Sequence, residues 1–308
     1  MTSRTFRSAP ALLVALLTLP HTSAAHEFWI APSRYDAVQG STIDLGAVAG
    51  TGFRGEKKPW SPDHSVRFTL RAAKAIDLAR AATPGEMTWT RFAPTDAGGA
   101  LVAFQSDFLP IQLPAAAFDD YLRAEGLDGP LAARKGSAIP GRERYRRCAK
   151  AWLAGSDAAR STVVVGLPLE LVPETAPGLA SSLRLHVLWN GRPLAGALVK
   201  ACCTALDPSG APRTVFQRDS VNVAWQGRSD AAGAVTVPVR DAGEWLVSVV
   251  RMEPCHEREI ADWESTWASL TFARHATSAP AFSGPTSSSP AARGTAARPA
   301  SRPSAGAP

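Results

Sequence analysis

Histidine 26 is the residue whose position most favours chemistry, because the segment before it resembles one that a signal peptidase removes. Cleavage after Ala25 would leave His26 with a free α-amine, whose pKa is ordinarily about 8. That amine and the imidazole Nδ1 could bind one divalent metal as a chelate, and such nitrogen ligands suit nickel, cobalt or copper. The sequence therefore predicts a metal site at His26, completed by His64, His186 or His256. The alternative is that cleavage merely leaves a histidine there.

Neighbouring polar residues are weaker candidate ligands. Glu27 could add a carboxylate, but adjacent side chains on a strand point to opposite faces, so it is expected to point away from His26. Residues 253–259 (EPCHERE) surround His256 with acids and a thiol. A solvated loop is the simpler interpretation of that segment.

Sequence motifs of common enzymes are absent. The chain has no G-x-S-x-G elbow, no phosphate-binding glycine loop and no H-E-x-x-H pair. Cys255, His256 and Glu257 are adjacent in sequence, which is not the spatial arrangement that a nucleophile and its base require. The sequence predicts no catalytic residues and no enzyme.

The first 25 residues are predicted to be a cleaved signal peptide. Arg4 and Arg7 precede a nine-residue apolar run, residues 11–19, which Pro20 ends. Small residues at 23–25 complete the pattern. A membrane-spanning helix needs roughly 20 apolar residues, and no later stretch is long enough. The mature protein is therefore expected to be periplasmic, without a transmembrane segment.

The net charge of +6 does not indicate a nucleic-acid partner. Two of the 33 basic residues, Arg4 and Arg7, lie in the signal peptide, and Arg293, Arg298 and Arg302 lie in the C-terminal tail. Removing these five leaves 28 basic against 27 acidic side chains. A nucleic-acid-binding domain needs a basic face of its own, so this class is set aside.

Four cysteines accompany the export signal: Cys148, Cys202, Cys203 and Cys255. An oxidising compartment favours disulfides, and one bridge is predicted, from Cys255 to Cys202 or Cys203. The adjacent pair would point to opposite faces of a strand, so only one of the two can face a given partner.

The predicted fold is mainly β, with two sandwich-like domains. Residues 26–158 form the first and contain a helical segment, residues 115–155, in which residues 115–125 and 141–153 are predicted helices. Residues 159–275 form the second, of immunoglobulin-like or transthyretin-like type, with a hairpin at Asn190 and Gly191. The strand returning from that hairpin is predicted over residues 194–202. Residues 276–308, of which 23 of 33 are Ala, Ser or Pro, are predicted to be disordered.

Three groups of residues resemble an exported bacterial family, domain of unknown function family 4198, which is associated with nickel uptake. They are residues 25–30 with Pro32; residues 145–150 with 166–173; and residues 190–197, 230–233, 243–245 and 262–272. The resemblance implies a periplasmic, β-rich accessory protein. In this family a histidine often follows the strand that begins near Trp245, where this chain has Arg251 and Met252. His256 is the nearest substitute.

Two functions follow as expectations. The first is a periplasmic transition-metal-binding or metal-delivery accessory protein, linked to nickel or cobalt uptake, whose partner is a membrane metal-transport component. The alternative is a non-enzymatic β-sandwich binding module for a glycan, a peptide or a protein.

Overall fold

The computed structural model describes residues 27–213 and 222–276, which form a mainly β structure, as predicted. The predicted signal peptide and His26 lie outside the described residues, as does the predicted disordered tail from residue 277 onward. The described residues form one compact unit. Within the described ranges, no helix is both long and apolar enough to cross a membrane.

Seventeen strands and two α-helices make up the described parts of the chain. The strands are β1 (Glu27–Pro32), β2 (Ile43–Thr51), β3 (Arg54–Lys58), β4 (Ser65–Arg71), β5 (Ala75–Asp77), β6 (Thr90–Phe92), β7 (Ala100–Ser106), β8 (Leu109–Leu113), β9 (Gly141–Leu153), β10 (Leu169–Pro173), β11 (Ser182–Trp189), β12 (Arg192–Pro193), β13 (Leu198–Thr204), β14 (Trp225–Arg228), β15 (Ala234–Pro238), β16 (Gly243–Pro254) and β17 (Trp263–Arg274). The helices are α1 (Ala115–Ala124) and α2 (Asp128–Arg134), and short 3-10 turns lie at Pro62–His64, Ala79–Ala81 and Ala158–Ser161.

These strands form three sheets. The central sheet has nine strands in the order β14-β13-β16-β17-β9-β7-β4-β5, with β8 also paired to β9. The N-terminal sheet contains β1, β2, β3 and β6, and the C-terminal sheet contains β10, β11, β12 and β15. The pairing of β9 with β17 is parallel, and every other pairing among these strands is antiparallel.

The central sheet is covered on both faces. Ala149 and Ala151 of β9 pack into the core formed with the N-terminal sheet. Cys148 and Trp152 of the same strand pack into the core formed with the C-terminal sheet. Since successive side chains of a strand point to opposite faces, two sandwiches share one sheet.

The second predicted helix, residues 141–153, is wrong: this segment is the strand β9. A strand with both faces covered need not alternate between polar and apolar residues. The spacing of the apolar residues in this segment therefore also matches a helix. Its arginines and alanines also favour helices in isolation, and sheet pairing with β7 and β17 overrides that preference.

The first predicted helix is confirmed as α1, which buries Phe118, Tyr121 and Leu122. Gly126 follows it with φ of 62°, a conformation that glycine adopts without strain. α1 packs in a third core against Trp267 of β17. This helical region therefore covers part of the face that the N-terminal sheet covers elsewhere.

The predicted hairpin is confirmed, but its returning strand is not. Asn190 and Gly191 both have positive φ and join β11 to β12. The longer strand that follows, β13, pairs instead with β14 and β16 of the central sheet. The predicted domain boundary lies at residue 158. Strands from both sides of that residue belong to the central sheet, which therefore spans the boundary.

Candidate functional site

The predicted metal ligands lie on separate elements. His186 lies on β11, where its Nε2 is 2.9 Å from Glu174 Oε1, and His256 is exposed in the loop after β16. His64 ends a 3-10 turn before β4 and is exposed. Among the residues that the structure describes, no group of three or more His, Cys, Asp or Glu side chains could hold a metal. Because His26 lies outside these residues, its chelate stays a prediction.

Glu27 is already engaged by protein groups. Its Oε1 accepts a hydrogen bond of 2.7 Å from the Ser248 hydroxyl, and its Oε2 accepts one of 3.0 Å from the Gly52 backbone N–H. The side chain is buried. Glu27 therefore attaches β1 to the central sheet. Its engaged oxygens fit the expectation that it is a weaker candidate metal ligand.

The predicted disulfide is wrong, since all four cysteines are free. Cys202 lies opposite Leu246 near the start of β16, whereas Cys255 follows the far end of that strand. Nine residues of extended chain span roughly 30 Å, and a disulfide needs Cα atoms within about 7 Å. Burial raises the pKa of Cys202 to about 12, so its thiol is protonated at neutral pH and is a poor metal ligand.

A cavity of about 300 Å3 lies where the N-terminal sheet meets the central sheet, and we call it the Arg147 cavity. Its lining comes from the strands β1, β3, β4, β7, β8 and β9, from the connection between β3 and β4, and from the segment before β6. The twelve lining residues are Phe28, Lys58, Pro59, Ser61, His64, Ser65, Trp89, Phe104, Ser106, Leu109, Tyr145 and Arg147. None of them is acidic.

Buried aromatic rings form one wall of the Arg147 cavity. The ring centroids of Trp89 and Phe104 are 5.0 Å apart, and the Phe28 ring lies 5.3 Å from that of Phe104. Trp89 is fixed further by a 2.7 Å hydrogen bond from its Nε1 to the Lys58 carbonyl. Trp60 and Phe68 pack behind these rings. This wall is rigid and apolar, and it presents ring faces and edges to a ligand.

Arg147 supplies the main charge of the cavity. Its guanidinium carbon lies 5.0 Å from the ring centroids of both Phe28 and Tyr145. No carboxylate among the described residues pairs with it. Burial lowers the pKa of Arg147, and the electrostatic interaction with Tyr145 opposes this shift. The guanidinium nevertheless stays charged, because arginine titrates far above neutral pH.

The other polar groups of the cavity are already engaged or exposed. Lys58 forms an exposed ion pair with Glu56 at 3.1 Å. The Ser106 hydroxyl donates to the Asp107 carbonyl and accepts from the Arg147 backbone N–H. The Ser65 hydroxyl donates to the Ser61 carbonyl. Arg147 is therefore the charged group of this cavity that has no oppositely charged partner among the described residues.

Sequence reasoning named His64 only as a candidate metal ligand, and it did not predict this cavity. Trp89, Phe104 and Arg147 are distant in sequence and meet only through sheet pairing. The pairing of Phe104 with Ala149 places Arg147 near the end of β7. A correct assignment of β9 as a strand would have placed Tyr145 and Arg147 on one face.

Comparisons with known proteins identify the family. No curated protein matches the chain. A solved structure, the D0-D1 domain of intimin, matches at 12% identity, covering 80% of this chain and 97% of its own, with a TM-score of 0.19. The family described as a domain of unknown function (DUF4198) matches residues 23–253. Since this match spans well over half of the chain, the protein belongs to the DUF4198 family.

Proposed function

We propose that this protein is a non-enzymatic, extracytoplasmic binding module that holds a small molecule in the Arg147 cavity. The signal-peptide pattern of residues 1–25 supports export. Small-molecule sites in proteins are commonly concave and largely apolar, with a few polar groups that fix orientation.

The observation that carries this proposal is the composition of the cavity. A wall of packed aromatic rings faces Arg147, a cation without a carboxylate partner among the described residues, in a volume of about 300 Å3. This volume lies at the lower end of the roughly 300–1,000 Å3 typical of ligand pockets. It suits a molecule with one or two rings.

A cavity-filling variant tests the proposal. Ser61 lines the cavity, and Ser61→Trp would fill it, whereas Asp63→Trp places the same ring on an exposed turn beside it. In a ligand-observed NMR screen of small aromatic compounds, we expect hits that compete for one site and disappear with Ser61→Trp but persist with Asp63→Trp. The absence of hits, or hits insensitive to Ser61→Trp, would contradict the proposal.

Transition-metal binding through His26 is a second candidate function, with a membrane metal-transport component as its partner. The observation that favours it is the position of His64, which lines the same cavity as Phe28, a residue near the start of the described chain. His186 is engaged with Glu174 instead. His64 is therefore favoured over His186 as the second ligand.

Two forms of the mature chain test metal binding. One starts at His26, and the other carries one additional residue before it, which removes the free histidine amine. Titrations with nickel, cobalt and copper should show at least about tenfold weaker binding by the extended form, and His64→Ala should weaken binding by the first form. Equal, weak binding by both forms would eliminate the N-terminal chelate.

A further inference from the structure

We infer that the ligand of the Arg147 cavity is a small planar carboxylate, in which a flat apolar ring carries a single carboxylate group. This inference rests on the proposed function and names its ligand class. Arg147 is the specificity-determining residue, and the aromatic wall holds the ring.

The charge of Arg147 favours an anionic ligand. A guanidinium has five N–H donors, and within the described ranges no carboxylate is among the side chains that contact the Arg147 guanidinium. The rings of Phe28 and Tyr145 stabilise the cation through their π-electrons. They offer no acceptor of full negative charge. A half-buried cation of this kind binds an anionic acceptor more strongly than a fully exposed cation does.

The shape of the anion follows from the guanidinium. Its planar donors match a carboxylate in a bidentate arrangement, which combines strength with directional specificity. Phosphate monoesters carry up to two charges. The other basic residues that line the cavity are Lys58, which is paired with Glu56, and the exposed His64. Arg147, which has no carboxylate partner among the described residues, therefore matches a single carboxylate.

The aromatic wall selects the body of the ligand. Trp89 and Phe104 are buried, and their rings are fixed against each other and against Phe28. A flat ring gains both burial and aromatic contact against such a wall, with little loss of side-chain freedom. A carboxylate without a ring, such as acetate, would use Arg147 but not this wall.

Calorimetric titration of the full mature chain tests the inference. The probes are naphthalene-2-carboxylate, the neutral naphthalene-2-carboxamide of the same shape, and acetate. We expect the carboxylate to bind at least about tenfold more tightly than the carboxamide, because a guanidinium forms stronger hydrogen bonds with a charged acceptor than with a neutral one. Acetate should bind at least about tenfold more weakly than the carboxylate, because it lacks the buried ring.

Two arginine variants distinguish a direct contact between Arg147 and the ligand from the general effect of positive charge on the protein. Arg147→Gln should remove the preference for the carboxylate and leave carboxamide binding nearly unchanged. Arg146→Gln makes the same charge change at the next residue of β9, whose side chain lies on the opposite face of the central sheet near Trp189, and should bind as the wild type does.

The outcomes also separate this inference from the proposed function. Equal binding of the carboxylate and the carboxamide would overturn the anion preference and leave the cavity as a ligand site. Equal loss of carboxylate binding in both arginine variants would overturn the role of Arg147. No binding of either naphthalene probe would overturn the inference and count against the proposed function as well.

Discussion

Each face of β9 carries a basic side chain, and the two side chains differ in whether a carboxylate pairs with them. On the face toward the C-terminal sheet, Lys150 donates a 2.9 Å hydrogen bond to Glu170 Oε1, and both side chains are only 1% exposed. On the other face, three residues earlier, Arg147 lies between two aromatic rings and has no carboxylate partner among the described residues. One cation is sealed within the fold, and the other borders a cavity.

The surroundings of Glu170 explain why its pair with Lys150 belongs to the fold. Its two oxygens also accept hydrogen bonds from the backbone N–H groups of Val165, Gly166 and Leu167. The carboxylate therefore fixes the connection that leads into β10 as well as the lysine. A buried charge with every partner supplied by the protein is structural, whereas a shielded charge without its counterion indicates a missing ligand.

The largest expected effect is on the sealed side. Lys150→Met would leave the buried Glu170 carboxylate without its cation, and we expect the free energy of unfolding to fall by about 3–5 kcal/mol. Urea denaturation measures it. A loss below about 1 kcal/mol would mean that the backbone N–H groups alone compensate the Glu170 carboxylate. Lys150 would then not be a structural cation, and it would no longer differ from Arg147 in this respect.

A smaller effect is expected from Glu143, which lies on β9 on the same face as Arg147 but beneath α1. Its carboxyl is 1% exposed and accepts hydrogen bonds from the Tyr121 and Ser265 hydroxyls. Burial raises its pKa from 4.5 to about 7. The folded protein thus holds this proton over a pH range in which the unfolded chain has released it, so stability falls as pH rises from 4.5 to about 7.

The Glu143 contribution should reach up to about 3 kcal/mol, since each unit of pKa shift corresponds to about 1.4 kcal/mol. It can be isolated as the difference in unfolding free energy between the wild type and Glu143→Gln, measured from pH 4.5 to 7.5. That difference should change with pH in the stated direction. A difference independent of pH would show that the carboxyl is ionised in the folded state throughout this range.

The smallest expected effect on stability is that of Arg147→Gln. This variant loses two cation–π contacts, each of about 0.5–1 kcal/mol, but it also removes a partly desolvated charge. We expect a net change within about 1 kcal/mol, measured by urea denaturation beside Lys150→Met. A loss comparable to that of Lys150→Met would make Arg147 a structural residue rather than a ligand-binding one.

The sequence predicted those features that local signals encode. The β class, the helix α1, the turn at Asn190 and Gly191, and the family all depend on residues close together in the chain. His64 was named as a candidate metal ligand, which stays a prediction, and the sequence did not indicate that it lines a cavity. Nothing local linked it to Trp89 or Arg147.

The features that the sequence did not predict depend on long-range pairing. Lys150 belongs to the segment that was predicted to be the second helix, yet it is buried on the strand β9, where it pairs with Glu170 of another sheet. The proposed disulfide failed because the length of β16 separates Cys202 from Cys255. In both cases the missing information was which strands lie side by side.

The most direct test of the central claim follows the side-chain Nε–Hε resonance of Arg147 by NMR, assigned by its loss in Arg147→Gln. Titration of the mature chain with naphthalene-2-carboxylate should shift this resonance at saturation, while the matched carboxamide leaves it nearly in place. A resonance that does not respond to the carboxylate, or that responds equally to both compounds, would contradict the assignment of Arg147 as the anion-binding residue of this cavity.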